Sequence, residues 1–370
     1  MTVTQRSRLR DLPPPEPTAG TAAYEREREL ALARSPKTRE NYERYQRASR
    51  GARVDYLPIK LDIENVSRCN FRCTMCVVSE WDKGRRAEDM SVEGFKRLID
   101  EQYGLIEIKL QGIGEPLMQG DAFFEMIRYA RAQHIWVRTT TNASLLGARE
   151  NYKRLIDADP NEVQISIDGA DKATFEGIRR GSNFDKVLEN CRTINAYCRD
   201  QGAARTKMWT VVQRANLHQL PRLVDLAAQL GFRSQVFSLN LSDWGLDTWH
   251  AINERANAED ALSPEQLYPL IERGERAGVT VRFWNVNEKY RVGDPKTLCP
   301  WPFERAYVAS DLRVVPCCYI GNPDVYQIDA KLDERHSFSD VWFGHEFERF
   351  RQSHLDGELP AACKGCYYHP

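Results

Sequence analysis

Three cysteines near the start of the chain constrain its fold more than any other feature. Cys69, Cys73 and Cys76 form a C-x3-C-x2-C pattern on what is predicted to be a short loop. Three thiolates this close are able to bind one face of a 4Fe–4S cluster, and they leave the fourth iron without a protein ligand. An iron with an open site binds and reduces a ligand, whereas a fully ligated cluster mostly transfers electrons. The pattern therefore predicts a cluster that takes part in chemistry.

Length and composition indicate a large globular protein. The 370 residues suffice for one large catalytic domain and a smaller one, and 42% hydrophobic with 28% charged residues is ordinary for such a chain. A net charge of −1 provides no basic excess for nucleic acid, and no apolar stretch is long enough to cross a membrane. Residues 1–20 are charged and proline-rich, which predicts disorder rather than a secretory signal. We expect a cytoplasmic protein.

Strands and helices alternate along the middle of the chain. A helix follows each of the first five strands, and the predicted helices are Ser91–Tyr103, Ala122–Gln133, Asn151–Ala158, Asp185–Arg199 and Leu220–Leu230. The predicted strands are Leu57–Ile63, Ile106–Leu110, His134–Thr139, Glu162–Asp168, Thr206–Val212 and Ser234–Leu239. Six such units predict an α/β fold, a partial (β/α)6 TIM-like barrel whose site lies at the carboxyl ends of the strands.

The chain is expected to divide into four parts. Residues 1–56 form a disordered and helical extension, and residues 57–245 form the partial barrel. Residues 246–298 are a linking segment of helix and strand. Residues 299–370 form a C-terminal domain that contains a hairpin over Arg305–Val315 and four of the late cysteines.

A glycine motif follows the second predicted strand and completes a family resemblance. The run is Gly112-Ile113-Gly114-Glu115-Pro116, about 40 residues after the cysteine triad. Together the two motifs resemble those of the radical S-adenosylmethionine (SAM) enzymes, although Ile113 stands where that family often has glycine. The resemblance implies that SAM binds the open iron and is cleaved to a 5′-deoxyadenosyl radical, with an electron from a donor such as flavodoxin or ferredoxin.

The same resemblance assigns SAM-contacting roles to polar and apolar residues at the strand ends. The predicted cofactor-binding residues are Met75, Gly112, Gly114, Glu115, Pro116, Asn142, Ser166, Asp168 and Gln213. Arg179 and Arg180 are further candidates for binding the SAM carboxylate or an anionic substrate, but such pairs are more often solvated. Ser242–His250 follows the sixth strand and is a candidate to line the substrate pocket.

Four late cysteines predict a second metal site. Cys299, Cys317, Cys363 and Cys366 suffice for one 4Fe–4S cluster or one zinc ion. Their spacing resembles the SPASM/twitch extension of radical SAM enzymes, most closely the shorter twitch form, which implies an auxiliary 4Fe–4S cluster. We choose Cys317 over its neighbour Cys318 as the ligand because C-x17-C then matches that pattern. Cys191 and Cys198 are predicted to be buried apolar residues on a helix.

The leading hypothesis is oxidation or epimerisation of a small, polyhydroxylated substrate. The cysteine spacing is similar to that of aminocyclitol dehydrogenases, and related enzymes epimerise aminoglycoside sugars. In an epimerase, Cys318 is a candidate hydrogen donor. The alternatives are modification of a ribosomal peptide, and an iron–sulfur protein that only carries electrons or regulates.

Overall fold

A single nine-stranded sheet forms the centre of the described structure. The computed structural model describes residues 21–81, 88–328 and 331–368, so the predicted disorder of residues 1–20 lies outside it. The strands are β1 Lys60–Ile63, β2 Glu107–Leu110, β3 Trp136–Thr141, β4 Glu162–Ser166, β5 Thr206–Val211, β6 Ser234–Ser238, β7 Thr280–Trp284, β8 Arg305–Val308 and β9 Val314–Val315. Their order is β9-β8-β1-β2-β3-β4-β5-β6-β7, and only the pair β8–β9 is antiparallel.

Helices occupy the connections between these strands and both ends of the described chain. They are α1 Thr21–Leu32, α2 Pro36–Arg47, α3 Val92–Glu101, α4 Asp121–Ala132, α5 Asn151–Asp157, α6 Lys172–Ile178, α7 Phe184–Asp200, α8 Leu220–Gln229, α9 Asp247–Ala256, α10 Pro264–Ala277, α11 Trp301–Glu304, α12 Phe338–Trp342 and α13 His345–Asp356. Ser91 caps α3 by accepting a hydrogen bond from the Gly94 amide at 3.0 Å, as its sequence position predicts. No helix in the described ranges combines the length and the apolar character that a bilayer crossing requires.

The predicted α/β fold is confirmed, with the six predicted strands adjacent in chain order. Their bounds shift by a few residues for local reasons. The third strand begins at Trp136 rather than at His134, because His134 takes a positive φ of 55° in the turn that follows α4. It then continues to Thr141, two residues past the predicted end. The fourth ends at Ser166, two residues before its predicted end.

The sheet is wider than the sequence indicated. β7 lies in the linking segment and pairs in parallel with β6. β8, from the C-terminal part, pairs in parallel with β1 along Lys60–Ile63. The hairpin expected over Arg305–Val315 is present as β8 and β9, and it therefore also extends the barrel sheet.

The two faces of the sheet have opposite chemistry. Side chains that face the helices are apolar, as Leu61, Ile108 and Val163 illustrate in the main core. Because side chains alternate along a strand, the intervening residues face the other side, which we call the lumen. Many lumen side chains are charged, and they pair across strands. The ion pairs include Arg138–Glu107, Lys207–Glu162 at 3.2 Å and Arg305–Asp62 at 3.7 Å.

The N-terminal helices pack against the barrel at the amino ends of the strands. The Tyr24 hydroxyl donates to Glu107 Oε2 at 2.7 Å, and its ring lies edge-on against Trp136 at 5.1 Å between centroids. From α2, the Asn41 side chain bonds both the amide and the carbonyl of Leu57, at 2.7 and 3.0 Å. The extension is thus attached by buried polar contacts as well as by apolar packing.

The contact between Tyr24 and Glu107 provides a test of this attachment. Burial alone would raise the pKa of Glu107, but Arg138, Lys60 and Arg305, with the Tyr24 hydroxyl, lower it to about 2. We expect Tyr24→Phe to lower the free energy of unfolding by about 1–3 kcal/mol at pH 7, since an ionised acceptor loses a donor. Urea denaturation measures this change.

Tyr42→Phe is the matched control, because the Tyr42 hydroxyl has no hydrogen-bond partner within the described ranges. The Glu107 pKa lies below its ordinary value of 4.5, so its contribution to stability is present above about pH 4.5 and is lost as the pH falls toward 2. The difference between wild type and Tyr24→Phe should shrink over that range. Equal losses in both variants would contradict the role of the hydroxyl.

Candidate functional site

The cysteine loop follows β1 and is fixed by backbone contacts on two sides. Residues 72–73 pair antiparallel with residues 179–180, which places Cys73 opposite Arg179. The Thr74 amide donates to the Ile178 carbonyl at 2.9 Å, and the Cys76 amide donates to the Cys73 carbonyl at 3.1 Å. These bonds hold the three thiols of the loop in a defined arrangement.

The three thiols lie in one largely buried environment. Burial raises the pKa of Cys69 to about 12, and it raises those of Cys73 and Cys76 as well. The charge of Cys73 raises the pKa of both other thiols further, and all three cysteines line the same cavity. Buried thiols of this kind become thiolates only when a cation compensates them, as iron does. The donor set therefore fits a cluster.

The glycines of the motif are required by the approach of the cysteine loop. A Cβ atom on Gly114 would stand 2.3 Å from the Val66 carbonyl oxygen and 2.5 Å from that of Arg68. On Gly112 it would stand 2.1 Å from the Glu64 side chain. From the sequence we attributed these glycines to backbone contact with SAM. The structure adds a packing reason, since only glycine allows the two loops to touch.

Glu115 fixes the loop after β3. Its Oε1 accepts from the Thr141 hydroxyl at 2.7 Å and from the Leu117 amide at 3.3 Å, and its Oε2 accepts from the Asn142 amide at 2.8 Å. Burial raises its pKa to about 7. The Glu115 carboxylate therefore already accepts hydrogen bonds from protein donors. Pro116 begins the short 3₁₀ helix that follows Glu115.

Most predicted site residues line one cavity of about 260 Å³ at the carboxyl ends of the strands. The predicted residues that line it are Cys69, Cys73, Cys76, Met75, Gly112, Gly114, Glu115, Asn142 and Ser166. Asn142 also lies close to the thiols, with Nδ2 4.0 Å from Cys69 Sγ. A second cavity, of about 340 Å³, lies near Cys198 and Thr206 and contains none of the predicted site residues.

Three predicted cofactor residues are not in the wall of this cavity. Asp168 is completely buried, pairs with Arg179 at 2.8 Å and accepts from the Val211 amide at 2.8 Å. It thus positions Arg179, which does line the cavity, rather than facing the cavity itself. Gln213 and Pro116 are likewise buried outside the wall. The strand ends before Asp168, so alternation from Ser166 no longer predicts where its side chain points.

Sequence reasoning missed some residues of the cavity wall. Asn240 and Tyr319 line the cavity and were not predicted, whereas Ser242 and Trp244 belong to the segment Ser242–His250 that the sequence suggests. The Tyr319 ring stacks on Trp284 at 6.0 Å, and Ser242 Oγ donates to the Tyr319 carbonyl at 2.7 Å. The only sequence signal for Tyr319 was its position directly after Cys317 and Cys318.

The late cysteines gather beside this wall. Cys299, Cys363 and Cys366 pack in one cluster with Tyr367, whose hydroxyl accepts from the Cys299 amide at 2.8 Å. Burial raises the pKa of Cys363 well above its usual value, and the charges of Cys317, Cys299 and Cys366 raise it further. Four buried thiols thus lie near one another, which fits the ligand set of an auxiliary cluster.

The two adjacent cysteines share one environment. Cys317 and Cys318 both pack against the cluster of Tyr307, Ala309, Val315 and Ile320. The charge of Cys317 raises the pKa of both Cys363 and Cys366, and it raises that of Cys366 more than the charge of Cys318 does. Burial raises the pKa of Cys318, and among the nearby charges Asp62 raises it most. The choice of Cys317 as the ligand stays a prediction from the spacing.

Comparison with protein families agrees with this geometry. Residues 65–227 match the model of the radical SAM superfamily, and residues 299–367 match that of the iron–sulfur cluster-binding SPASM domain. The chain therefore contains a radical SAM domain and a SPASM domain. The domain matched is SPASM, whereas the sequence most closely suggested the shorter twitch form. These two domains confirm the predicted cofactors, SAM and two 4Fe–4S clusters, one that binds SAM and one auxiliary.

Curated relatives and solved structures resemble the chain to different extents. The mycofactocin maturase MftC of Mycolicibacterium smegmatis is 30% identical over 59% of this chain and 53% of its own length, so the match spans about half of that relative. The PqqA peptide cyclase of Bradyrhizobium diazoefficiens is 23% identical over 84% of this chain and 79% of its own. The crystal structure of Streptococcus suis SuiB bound to the precursor peptide SuiA has a TM-score of 0.61 at 15% identity, over 80% of this chain and 67% of that one. This last likeness shows a shared fold.

The close approach at Gly114 leads to a prediction for the radical SAM domain. We expect Gly114→Ala to push the cysteine loop away, because its Cβ would meet two carbonyl oxygens. After anaerobic reconstitution, the iron content should fall from roughly eight to roughly four per chain, since only the auxiliary cluster would then form. Iron analysis with the visible absorption spectrum measures this loss.

Gly177→Ala is the matched control, because a Cβ at Gly177 in α6 meets nothing within 4 Å. That variant should retain the full iron content. Retention of roughly eight irons by Gly114→Ala as well would show that the packing at Gly114 does not determine the shape of the cluster site.

Proposed function

We propose that this chain is a radical SAM enzyme that modifies a peptide substrate. The observation that carries the proposal is the cavity at the carboxyl ends of the strands. Its lining includes the three thiols of the cysteine loop, the glycine motif, Arg179 and Tyr319, and Tyr319 directly follows Cys317 and Cys318 in the chain. A substrate in this cavity would lie between the two cysteine groups.

The chain's own residues prepare this cavity for its cofactors. Cys69, Cys73 and Cys76 would hold the SAM-binding cluster, and Cys299, Cys317, Cys363 and Cys366 would hold the auxiliary one. When bound, the first cluster and SAM supply a 5′-deoxyadenosyl radical that abstracts a substrate hydrogen atom. An electron donor such as flavodoxin or ferredoxin would deliver the electron.

Apolar side chains protect the loop from water. Cys69 and Cys76 pack against a small cluster formed by Val77, Val78, Trp81, Ile113 and Trp249. Ile113, which departs from the usual glycine of the family, is therefore part of this apolar wall. Excluding water at this point would limit unwanted reactions of a radical and strengthen electrostatic interactions in the cavity.

Arg179 supplies the positive charge of the same wall. It lies opposite Cys73 in the short ladder, and its pairing with the buried Asp168 holds the guanidinium in place. A fixed cation beside three thiolates offsets part of their negative charge. The sequence indicated a solvated arginine pair, and this holds for Arg180, which is exposed, but not for Arg179.

The relatives favour a peptide over a sugar. The mycofactocin maturase and the PqqA peptide cyclase are both named for peptide or maturation chemistry, and the second aligns with most of this chain. We therefore place peptide modification ahead of the aminocyclitol hypothesis. The chemistry that starts the reaction is the same in both, so the substrate is what an experiment must decide.

Deuterium transfer tests the proposal directly. The reconstituted, reduced protein should convert SAM to 5′-deoxyadenosine, and Cys76→Ala should abolish this conversion. A perdeuterated candidate precursor peptide should transfer deuterium into 5′-deoxyadenosine, as measured by mass spectrometry. A deuterated aminocyclitol should transfer none.

Transfer from the aminocyclitol alone would contradict peptide modification and would support oxidation or epimerisation of a polyhydroxylated substrate. Failure of the reconstituted protein to cleave SAM would contradict both and would support an electron carrier. Cys198→Ala is a suitable control for cysteine substitution, because Cys198 is buried on α7, away from both cysteine groups.

Cys318 is the proposed hydrogen donor if the product is an epimer. Its side chain packs beside Cys317, and Asp62 is the charge that raises the pKa of its thiol most, whereas Cys299, Cys363 and Cys366 pack in a different cluster. We expect Cys318→Ala to form 5′-deoxyadenosine at the wild-type level and to yield no product with an inverted carbon centre. Chiral analysis of the hydrolysed product measures this, and an undiminished yield of epimer would remove Cys318 from the mechanism.

A further inference from the structure

Two arginines on the outer face of the short ladder beside the cysteine loop have no role in the chemistry described so far. In that ladder Arg72 stands directly opposite Arg180, next to the pair formed by Cys73 and Arg179. Cys73 and Arg179 line the cavity, so alternation directs Arg72 and Arg180 to the other side of the ladder. Both of these arginines are exposed. The ladder therefore presents two adjacent cations to solvent, on the reverse side of the strand that contains Cys73.

No acid of the described chain compensates this pair. Residues directly opposite each other in an antiparallel ladder have Cβ atoms about 4.5–5.5 Å apart, and like charges there are destabilising. In the described part of the chain, Arg180 has neither an ion-pair nor a hydrogen-bond partner, and Arg72 has no carboxylate partner. Of the acids that flank Arg180 in the sequence, Glu176 accepts from a backbone amide at 2.9 Å and Asp185 lies 3.8 Å from Lys172. The two charges are thus available to an acid of another molecule.

Arg72 is held against the cysteine loop itself. Its Nη1 donates to the Cys69 carbonyl at 2.7 Å and to the Phe71 carbonyl at 2.9 Å. These acceptors carry no net charge, so they fix the guanidinium without cancelling its positive charge. An anion bound at Arg72 would therefore contact the loop between two of the predicted cluster ligands, Cys69 and Cys73.

The position of the pair also separates it from the substrate. The inner side of the ladder faces the cavity, and the outer side faces solvent. A molecule bound to the outer side would reach the cysteine loop without entering the cavity. SAM and a substrate could thus occupy the cavity while an electron arrives from outside.

We propose that Arg72 and Arg180 form a docking patch for an acidic one-electron donor protein of the flavodoxin or ferredoxin class. The inference rests on the proposed function, which requires such a donor. At the patch the donor is oxidised by one electron, and that electron reduces the SAM-binding cluster by one; no bond of the chain forms or breaks. A donor with carboxylates around its redox group complements the patch, because opposite charges steer association and fix the register of an interface.

Zero-length cross-linking tests this contact without turnover. The probe is an oxidised bacterial flavodoxin. Arg180→Lys keeps the charge and adds an amine that a carbodiimide joins to a carboxylate of the flavodoxin, so we expect mass spectrometry to find a link at residue 180. The link should disappear in 1 M salt, where the Debye length is about 3 Å. Arg128→Lys is the matched control, since Arg128 is exposed on α4, and it should give no link.

Charge reversal connects the contact to electron delivery. We expect Arg180→Glu to raise the KM for reduced flavodoxin in 5′-deoxyadenosine formation about tenfold or more, because it replaces attraction with repulsion. The rate with reduced methyl viologen should not change, since this small cation needs no acidic docking. Arg128→Glu alters the net charge equally and should preserve both rates. Circular dichroism and iron analysis verify that each variant is folded and loaded.

Several outcomes would overturn the proposal. These are the absence of a link at residue 180, a link of equal yield at residue 128, and an unchanged KM for flavodoxin in Arg180→Glu. An equal loss of rate with both reductants would assign Arg180 to SAM or the cluster instead. A link at residue 180 to a candidate precursor peptide but not to flavodoxin would assign the patch to the substrate.

The two proposals fail in different ways. A flavodoxin link at residue 180, with 5′-deoxyadenosine formed but no deuterium transferred from a peptide, would refute peptide modification alone. Deuterium transfer from a peptide, with no flavodoxin link at residue 180, would refute the docking patch alone.

Discussion

The geometry of the whole site depends on the contact between the backbone of the cysteine loop and Gly114. Carbonyl oxygens of Val66 and Arg68 would stand 2.3 and 2.5 Å from a Cβ at that position, so no other residue fits without movement. The contact is reinforced by the Glu115 amide, which donates to the Arg68 carbonyl at 3.0 Å. Because two loops that follow neighbouring strands touch here, the thiols and the glycine motif face the same cavity.

The Glu64 carboxylate links the glycine motif to the part of the chain that carries the second cysteine group. Glu64, at the end of β1, accepts from the Ile113 amide and from the Ser310 amide, each at 3.0 Å. It therefore joins the glycine motif to the hairpin of β8 and β9, whose chain continues to Cys317. The SPASM domain is thus attached to the barrel by strand pairing and by a carboxylate that both parts share, which favours a fixed separation between the two cysteine groups.

The charged lumen distinguishes the interior of this barrel from an apolar core. Ion pairs such as Lys207–Glu162 cost desolvation energy and yield little net stability. They do, however, keep the interior polar, whereas a TIM barrel core is filled by branched apolar side chains. Tyr24 of the N-terminal helix α1 contacts this interior through its hydrogen bond to Glu107 and its edge-on contact with Trp136.

The sequence by itself determined the six central strands, the two cysteine groups, the glycine motif and, through them, the radical SAM and SPASM domains, because these signals are local in spacing and period. Tertiary structure decided the rest. The pairing of β8 with β1 joins segments at opposite ends of the chain, and no local pattern encodes it. The same long-range pairing joins the chain that continues to Tyr319 to the barrel, and Tyr319 lines the cavity. The burial of Asp168 against Arg179 also appears only in the folded chain, because the strand ends before Asp168 and its side chain no longer follows the alternation.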